Sequence, residues 1–141
     1  MFERRPYFAY GSNLNATQMA RRCPQAVPVG RARLVGWQLV MNRYGLATVV
    51  PADGSTVWGG LWLVTPNCER ALDAYESIDS GLYVRSTLSA VRDDESSTEA
   101  LVYLATESNP GRARAGYLAG IATGARSFGL PDDYVLELER C

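Results

Sequence analysis

Short apolar runs bounded by turn formers recur along the chain and predict a fold rich in strands. β-branched and aromatic residues predict strands at 6–10, 56–64, 82–92 and 98–106, with further β-rich sequence over 27–50. Polar stretches with glycine, proline or aspartate at 51–55 and 93–97 are expected to be turns. Gly59 and Gly60, adjacent within a strand, indicate a bulge or a close approach of another backbone.

Capping residues and one-sided apolar spacing predict four helices, over 15–22, 65–76, 112–128 and the stretch after Pro131. Asn15 is a suitable N-cap for the first helix, and Thr65 followed by Pro66 is typical of a helix start. Gly129 is a suitable end for the third helix. These positions divide the chain into short, separately capped elements.

Helices inserted singly between strands do not produce a regular βαβ alternation. We therefore predict an α+β fold, a small mixed and largely antiparallel β-barrel flanked by helices. A chain of 141 residues fits one domain, so a single domain is expected over residues 1–141.

The chain contains no histidine, and its 14 basic residues are all arginine. The absence of imidazole excludes Ser-His-Asp and Cys-His mechanisms and any metal site that needs imidazole. The absence of lysine excludes a Schiff base on a side chain. Acid–base chemistry must therefore use Asp, Glu, Tyr, Cys or the substrate itself.

The net charge of −1 does not indicate binding to nucleic acid or to an anionic membrane. No apolar run approaches the ~20 residues of a membrane span, and the first residues do not predict a signal peptide. Cys23, Cys68 and Cys141 have no C-x-x-C spacing, so reduced thiols and a cytoplasmic location are expected. The scattered arginines do not indicate a phosphate site.

The turn Tyr10-Gly11-Ser12-Asn13-Leu14 is the first candidate for chemistry. Small residues after a buried strand allow a sharp turn that exposes successive N–H groups, and a helix starts just beyond it. Such amides can bind a carboxylate or an oxyanion. The alternative interpretation is a plain strand-to-helix connector.

Glu76, at the end of the second helix, is the candidate general base. The negative end of the helix dipole disfavours its ionised form, and partial burial acts in the same direction, so its pKa should be raised. Asp73 and Asp79 are rivals, and a solvated glutamate is the alternative. One or two tyrosines of the apolar segments are expected to line a pocket: Tyr7, Tyr10, Tyr83, Tyr103 and Tyr117.

Together these segments resemble the γ-glutamylcyclotransferase (AIG2-like) family. The resemblance starts at residues 7–14, which contain the family's Y-G-S-N-L turn, and covers nearly the whole chain in order. The further matching blocks lie at residues 45–48, 57–62, 72–76, 80–84, 124–125 and 129–134.

The resemblance implies a β-barrel with its active cavity at the end of the first strand. It implies that Glu76 is the catalytic glutamate and that the substrate is bound by Tyr10, Gly11, Ser12, Asn13, Leu14, Tyr83 and Tyr117. One departure is Ser77, since the family often has glycine directly after the glutamate. Serine leaves that turn less permissive.

The activity implied is a cofactor-free cyclisation of a small-molecule γ-glutamyl substrate, which releases 5-oxoproline and a free amino acid or amine. Neither nucleic acid, membrane nor metal is implied, and a homodimer is compatible with the family. Other γ-glutamyl compounds remain open, either a γ-glutamylamine or a γ-glutamyl group on a natural product; glutathione is a weaker option. A non-catalytic binder of a small carboxylate is the alternative from another class.

Overall fold

The computed structural model describes residues 4–113 and 116–140, and within them four α-helices and five strands. In chain order the elements are β1 (Arg5–Ala9), a 3₁₀ turn (Ser12–Leu14), α1 (Ala16–Arg22), β2 (Val27–Met41), β3 (Ala47–Val64), α2 (Pro66–Tyr75), β4 (Tyr83–Arg92), β5 (Ser97–Ala105), α3 (Tyr117–Ser127) and α4 (Asp132–Arg140).

The five strands close into a barrel in the order β1-β3-β2-β4-β5. Every neighbouring pair is antiparallel except β1 and β5, which run parallel with Tyr7 opposite Leu101. The predicted mixed, largely antiparallel barrel with flanking helices is thereby confirmed. All described elements contribute to one hydrophobic core, while the prediction of a single domain over 1–141 also covers residues outside the described ranges.

The predicted starts of the first two helices are confirmed by their caps. The Asn15 side-chain oxygen accepts the N–H groups of Thr17 and Gln18 at 3.0 and 3.2 Å. The Thr65 hydroxyl accepts the N–H of Cys68 at 3.2 Å, with Pro66 in the first helical position. Each cap binds backbone donors that would otherwise have no partner in the first turn.

The adjacent glycines of β3 mark a close approach, one of the two predicted readings. A Cβ on Gly59 would lie 2.3 Å from the carbonyl oxygen of Ala9, and one on Gly60 would lie 2.6 Å from the ring of Phe128. Since carbon and oxygen cannot approach so closely, only glycine lets β1 and the end of α3 pack onto this strand.

The predicted turn at 51–55 is wrong, because these residues lie inside β3. The chain instead reverses at residues 42–46, where the buried Asn42 side chain accepts the N–H groups of Tyr44 and Leu46 at 3.0 and 3.1 Å. Val35 pairs with Thr56 and Trp37 pairs with Pro51. Residues 52–55 of β3 therefore form a bulge, and the pairing of β2 with β3 continues on both sides of it.

The third helix also starts later than predicted, at Tyr117 rather than near residue 112. Pro110 is bridged to Asn42, and the N–H of Gly111 donates to the carbonyl oxygen of Met41 at 2.9 Å. These bonds hold the segment against the β2 end in an extended form. Residues 114, 115 and Cys141 lie outside the described ranges. Within those ranges, no helix has the length and apolar character needed to cross a membrane.

Candidate active site

A cavity of about 210 Å³ lies beyond the end of β1. Its wall is formed by residues of the turn after β1 (residues 10–14), by Glu76, and by a small apolar patch of Leu46, Ala47 and Leu82. Six of the chain's eight tyrosines complete the lining: Tyr7, Tyr10, Tyr75, Tyr83, Tyr103 and Tyr117. The cavity therefore presents one carboxylate among hydroxyl groups.

The turn after β1 is held by its own backbone. The N–H groups of Leu14 and Asn15 donate to the carbonyl oxygens of Gly11 and Ser12 at 3.0 and 3.1 Å. The N–H groups of Gly11, Ser12 and Asn13 make no hydrogen bond to any other described residue. All three residues line the cavity, so their amides are available to a bound anion or carbonyl oxygen.

Asn13, which is 2% exposed, is held by its side chain and by its backbone. Its side-chain amide nitrogen donates to the Tyr7 hydroxyl at 2.9 Å, and its backbone carbonyl oxygen accepts the indole N–H of Trp62 at 3.1 Å. Leu14 is fully buried and does not line the cavity. It is therefore placed to anchor the turn to the core rather than to contact a ligand.

Glu76 is the first residue after α2, and its N–H still donates to the carbonyl oxygen of Leu72 at 2.8 Å. Its carboxylate has no hydrogen-bond partner among the described residues. Burial raises the pKa of Glu76 to about 7, against the opposing effect of the positive charge of Arg22. A carboxyl group with this pKa can take up and return a proton near neutral pH.

The two rival carboxylates do not line the cavity. Asp73 accepts the Tyr103 hydroxyl at 2.6 Å and forms an ion pair with Arg85 at 3.2 Å. Asp79 is exposed beyond the end of the helix. Among the three acidic residues weighed from the sequence, the cavity therefore contains Glu76 alone.

Three of the six tyrosine hydroxyls in the cavity are bonded to backbone. Tyr10 donates to the carbonyl oxygen of Tyr103 at 2.6 Å, and Tyr83 donates to that of Ala47 at 2.7 Å. The hydroxyl of Tyr117, at the start of α3, accepts the N–H of Ala47 at 3.1 Å. Burial raises the pKa of all three, so they stay protonated at neutral pH.

The sequence predicted fewer tyrosines at the site than the structure brings together. One or two of the five named were expected to line a pocket, and all five do, joined by Tyr75. Tyr75 is 45% exposed, and its position next to Glu76 is the signal that would have found it. Tyr7 and Tyr103 face the cavity because β1 and β5 are barrel neighbours, which no local pattern reports.

Arg22 is a site residue that the sequence analysis missed. From the end of α1 it donates to the Ser12 hydroxyl at 3.1 Å, to the side-chain oxygen of Asn13, and to that of Gln18 at 2.8 Å. Its guanidinium carbon lies 3.3 Å from the centre of the Tyr75 ring. In sequence it is indistinguishable from the neighbouring arginine on the same helix.

The backbone directly after Glu76 is strained at Ser77, whose φ is +54°. The N–H of Ser77 donates to the carbonyl oxygen of Ala74, and that of Ile78 donates to Asp73, at 3.2 and 3.1 Å. This is a Schellman motif, which favours glycine at the left-handed position. The sequence-based expectation of a less permissive turn is thus met by a residue in a disfavoured conformation.

We expect Ser77→Gly to raise the free energy of unfolding by about 0.5–1 kcal/mol. The left-handed conformation costs a side-chain-bearing residue about 1–2 kcal/mol, and the more flexible unfolded chain of the variant offsets part of the gain. Urea unfolding measures the difference. Ser108→Gly, at an exposed loop position without positive φ, is the matched control and should be slightly destabilised. Equal effects at the two sites would contradict the strain assigned to Ser77.

No cluster of three or more His, Cys, Asp or Glu side chains in the described ranges is arranged to hold a metal ion. What the described residues do offer is one carboxyl group that exchanges a proton near pH 7, backbone N–H donors, and protonated tyrosine hydroxyls. This set can remove a proton from a nucleophile and stabilise negative charge on an oxygen.

Comparisons with known proteins point to one family. Residues 7–120 match the family model described as "Gamma-glutamyl cyclotransferase, AIG2-like". Gamma-glutamylcyclotransferases of Mus musculus and Bos taurus are 30% and 32% identical, over 94% of this chain and 76% of theirs. A solved gamma-glutamyl cyclotransferase structure superposes with a TM-score of 0.92 at 28% identity, covering 97% of this chain and 87% of that one.

Proposed function

Because the chain belongs to the gamma-glutamyl cyclotransferase, AIG2-like family, we propose that its cavity is the active site of a γ-glutamylcyclotransferase with Glu76 as general base. The reaction cyclises a γ-glutamyl group and releases 5-oxoproline. The observation that carries the assignment of the base is the placement of Glu76 in the cavity with a pKa of about 7.

The nucleophile is the substrate's own α-amine, which attacks its γ-carbonyl carbon. A C–N bond closes the five-membered lactam, and the C–N bond to the leaving amine breaks. The α-ammonium nitrogen loses two protons in becoming the lactam N–H. Glu76 takes the first, which frees the amine to attack, and returns it to the leaving nitrogen. It takes the second as the lactam nitrogen becomes neutral and passes it to the released amine or to solvent, so no other acid is required. Because both reacting groups belong to one molecule, the cavity chiefly has to hold the substrate in its folded conformation.

The turn after β1 supplies the donors for the substrate. The N–H groups of Gly11, Ser12 and Asn13, which bond to no described residue, are available for the negative charge that develops on the carbonyl oxygen. Tyr10, Tyr83 and Tyr117 are protonated and surround the same space. Leu14 acts indirectly, by anchoring the turn.

The size of the cavity suits an amino-acid-sized group. Pockets for drug-sized ligands usually enclose about 300–1,000 Å³, and this one encloses about 210 Å³. The γ-glutamyl group is therefore bound inside, and the leaving amine or amino acid extends to the opening. The same placement accommodates γ-glutamyl-amino acids, γ-glutamylamines and a γ-glutamyl group on a natural product.

The test is release of 5-oxoproline from a panel of γ-glutamyl-amino acids, γ-glutamylamines and glutathione. Release by the wild-type protein from at least one member supports the proposal and identifies the leaving group. Binding of the panel without release of product favours the non-catalytic carboxylate binder instead. Binding is measured by calorimetry on the same samples.

We expect kcat/KM to fall about tenfold per pH unit on the acid side, with a midpoint near pH 7. The base must be ionised, and burial raises the pKa of Glu76 to about 7, so protonation removes the active form as the pH drops. The profile is measured from pH 5 to 9. Asp79→Asn, which alters an exposed neighbouring carboxylate, should leave it unchanged. A midpoint near 4.5 would contradict the role of burial.

Two further assignments stay predictions. Cys23 and Cys68 are buried free thiols, which supports a reducing, cytoplasmic location. A homodimer is tested by light scattering of the purified protein.

A further inference from the structure

Arg22 determines which way the side chains of the turn after β1 present their polar atoms. A guanidinium donates hydrogen bonds and accepts none. Ser12, Asn13 and Gln18 must therefore each present an oxygen to it, as the three bonds from Arg22 show. For Asn13 this fixes the orientation of the amide, with its oxygen toward Arg22 and its nitrogen on the other side.

The orientation of Asn13 in turn determines the role of Tyr7. The Asn13 nitrogen donates to the Tyr7 hydroxyl oxygen at 2.9 Å, so the tyrosine's own proton must point elsewhere. No described residue accepts that proton, and Tyr7 lines the cavity. Burial raises the pKa of Tyr7 far above neutrality, so the proton is retained and is available to a bound substrate.

Arg22 also acts on the base through Tyr75 and through its charge. Its guanidinium carbon lies 3.3 Å from the Tyr75 ring centre, and Tyr75 immediately precedes Glu76. The positive charge favours the ionised form of Glu76. The other titratable groups that interact with Glu76 come from β1, the turn after it, β4 and α3. They are tyrosines with raised pKa: Tyr7, Tyr10, Tyr83 and Tyr117.

We propose that Arg22 is a positioning residue of this site, which orients the Asn13 amide so that the Tyr7 hydroxyl donates into the cavity and holds Tyr75 beside the base. The inference rests on the proposed function, because it assigns a role within that reaction. It explains why a half-buried arginine is directed at three neutral oxygens instead of forming an ion pair with a carboxylate in the described ranges. Arginine suits this place because its planar fork binds several acceptors and stacks on an aromatic ring.

The test compares Arg22→Gln, Arg22→Lys and the control Arg21→Gln. Arg21 is exposed on the same helix, so its replacement makes the same change in net charge away from the site. We expect Arg22→Gln to lose roughly ten- to a hundredfold in kcat/KM. The acid limb of its profile, the fall of kcat/KM at low pH, should move to higher pH, because removing the positive charge raises the pKa of Glu76.

Arg22→Lys separates orientation from charge. It retains the cation, so its acid limb should stay near that of the wild type, while kcat/KM falls because lysine lacks the planar fork. Tyr7→Phe combined with Arg22→Gln should lose less than the product of the single losses, since both act through one hydroxyl. If Arg22→Gln does not fold, the same double-mutant comparison is made with Arg22→Lys in its place, alone and combined with Tyr7→Phe.

Wild-type kcat/KM in both Arg22 variants would overturn the proposal, as would an unchanged acid limb in Arg22→Gln or an equal loss in Arg21→Gln. A readout without turnover separates this inference from the proposed function. The Glu76 carboxyl group is titrated by carbon NMR in the folded wild type and in Arg22→Gln. A higher midpoint in the variant supports the role of Arg22 even if no panel member is cyclised, and an equal midpoint contradicts it.

Discussion

Glu76→Gln is expected to lower kcat by about 10²–10⁴-fold, which corresponds to about 3–5 kcal/mol in the barrier. Glutamine has nearly the same shape as glutamate but cannot accept the proton from the α-ammonium group. KM should change only a few-fold, because the turn after β1 and the tyrosines proposed to bind substrate are intact. Steady-state release of 5-oxoproline measures both parameters.

Two matched variants distinguish the proposed base from the neighbouring carboxylates. Asp73→Asn and Asp79→Asn remove the rival carboxylates at the same end of α2, and both should retain turnover far above that of Glu76→Gln. Nearly full activity in a folded Glu76→Gln protein would remove the role proposed for this residue. A larger loss in Asp73→Asn than in Glu76→Gln would transfer that role to Asp73.

Stability provides an independent check on the same variant. The pKa of Glu76 is about 7 in the folded protein against an ordinary value of 4.5, so the folded state binds the proton more tightly. Its ionisation therefore destabilises the protein above pH 7, and the penalty disappears as the pH falls toward 4.5. Glu76→Gln should be more stable than the wild type by about 1–3 kcal/mol at pH 8, with little difference at pH 4.5.

Gly124→Ala is expected to reduce both stability and activity, although the residue touches no part of the cavity. A Cβ at this position of α3 would lie 2.4 Å from the carbonyl carbon of Leu14 and 2.5 Å from the nitrogen of Asn15. Both are backbone atoms, so α3 or the turn after β1 must move. We expect a loss of about 2–3 kcal/mol in the free energy of unfolding and at least a tenfold lower kcat/KM.

The control for this variant lies one turn earlier on the same helix. A Cβ on Gly120 would meet nothing closer than the Gln18 side chain at 3.8 Å. Gly120→Ala should therefore stabilise the protein by up to about 1 kcal/mol through helix propensity and leave activity intact. Urea unfolding and 5-oxoproline release are measured for both. Similar behaviour of the two alanine variants would show that α3 does not control the position of the turn.

Local signals predicted most of the elements because they act within a few residues. Asn15 and Thr65 cap the helices that their positions indicated, since a cap binds N–H groups two or three residues ahead. The turn predicted at 51–55 was wrong for the opposite reason. Its residues favour turns locally, but the pairing of Val35 with Thr56 and of Trp37 with Pro51 continues the ladder around them.

The residues of the candidate site likewise fall into those that local sequence signals predicted and those that tertiary contacts placed. The turn from Tyr10 to Asn13 and the proposed base Glu76 lie at the ends of elements, where turn and capping patterns in the sequence are informative. Tyr7 and Tyr103, by contrast, reach the cavity from neighbouring strands of the barrel. Arg22 has no signal of its own, because its partners Ser12 and Tyr75 come from the two sides of the site.

The sequence by itself determined the α+β class, the helix caps, the exclusion of imidazole and lysine chemistry, and the family to which the chain is similar. These follow from residue identity and from interactions between near neighbours. Only the tertiary structure decided how far Glu76 is buried, which tyrosines line the cavity and what Arg22 contacts. Burial, charge proximity and hydrogen-bond orientation depend on distances between elements, which exist only once the barrel has closed around its core.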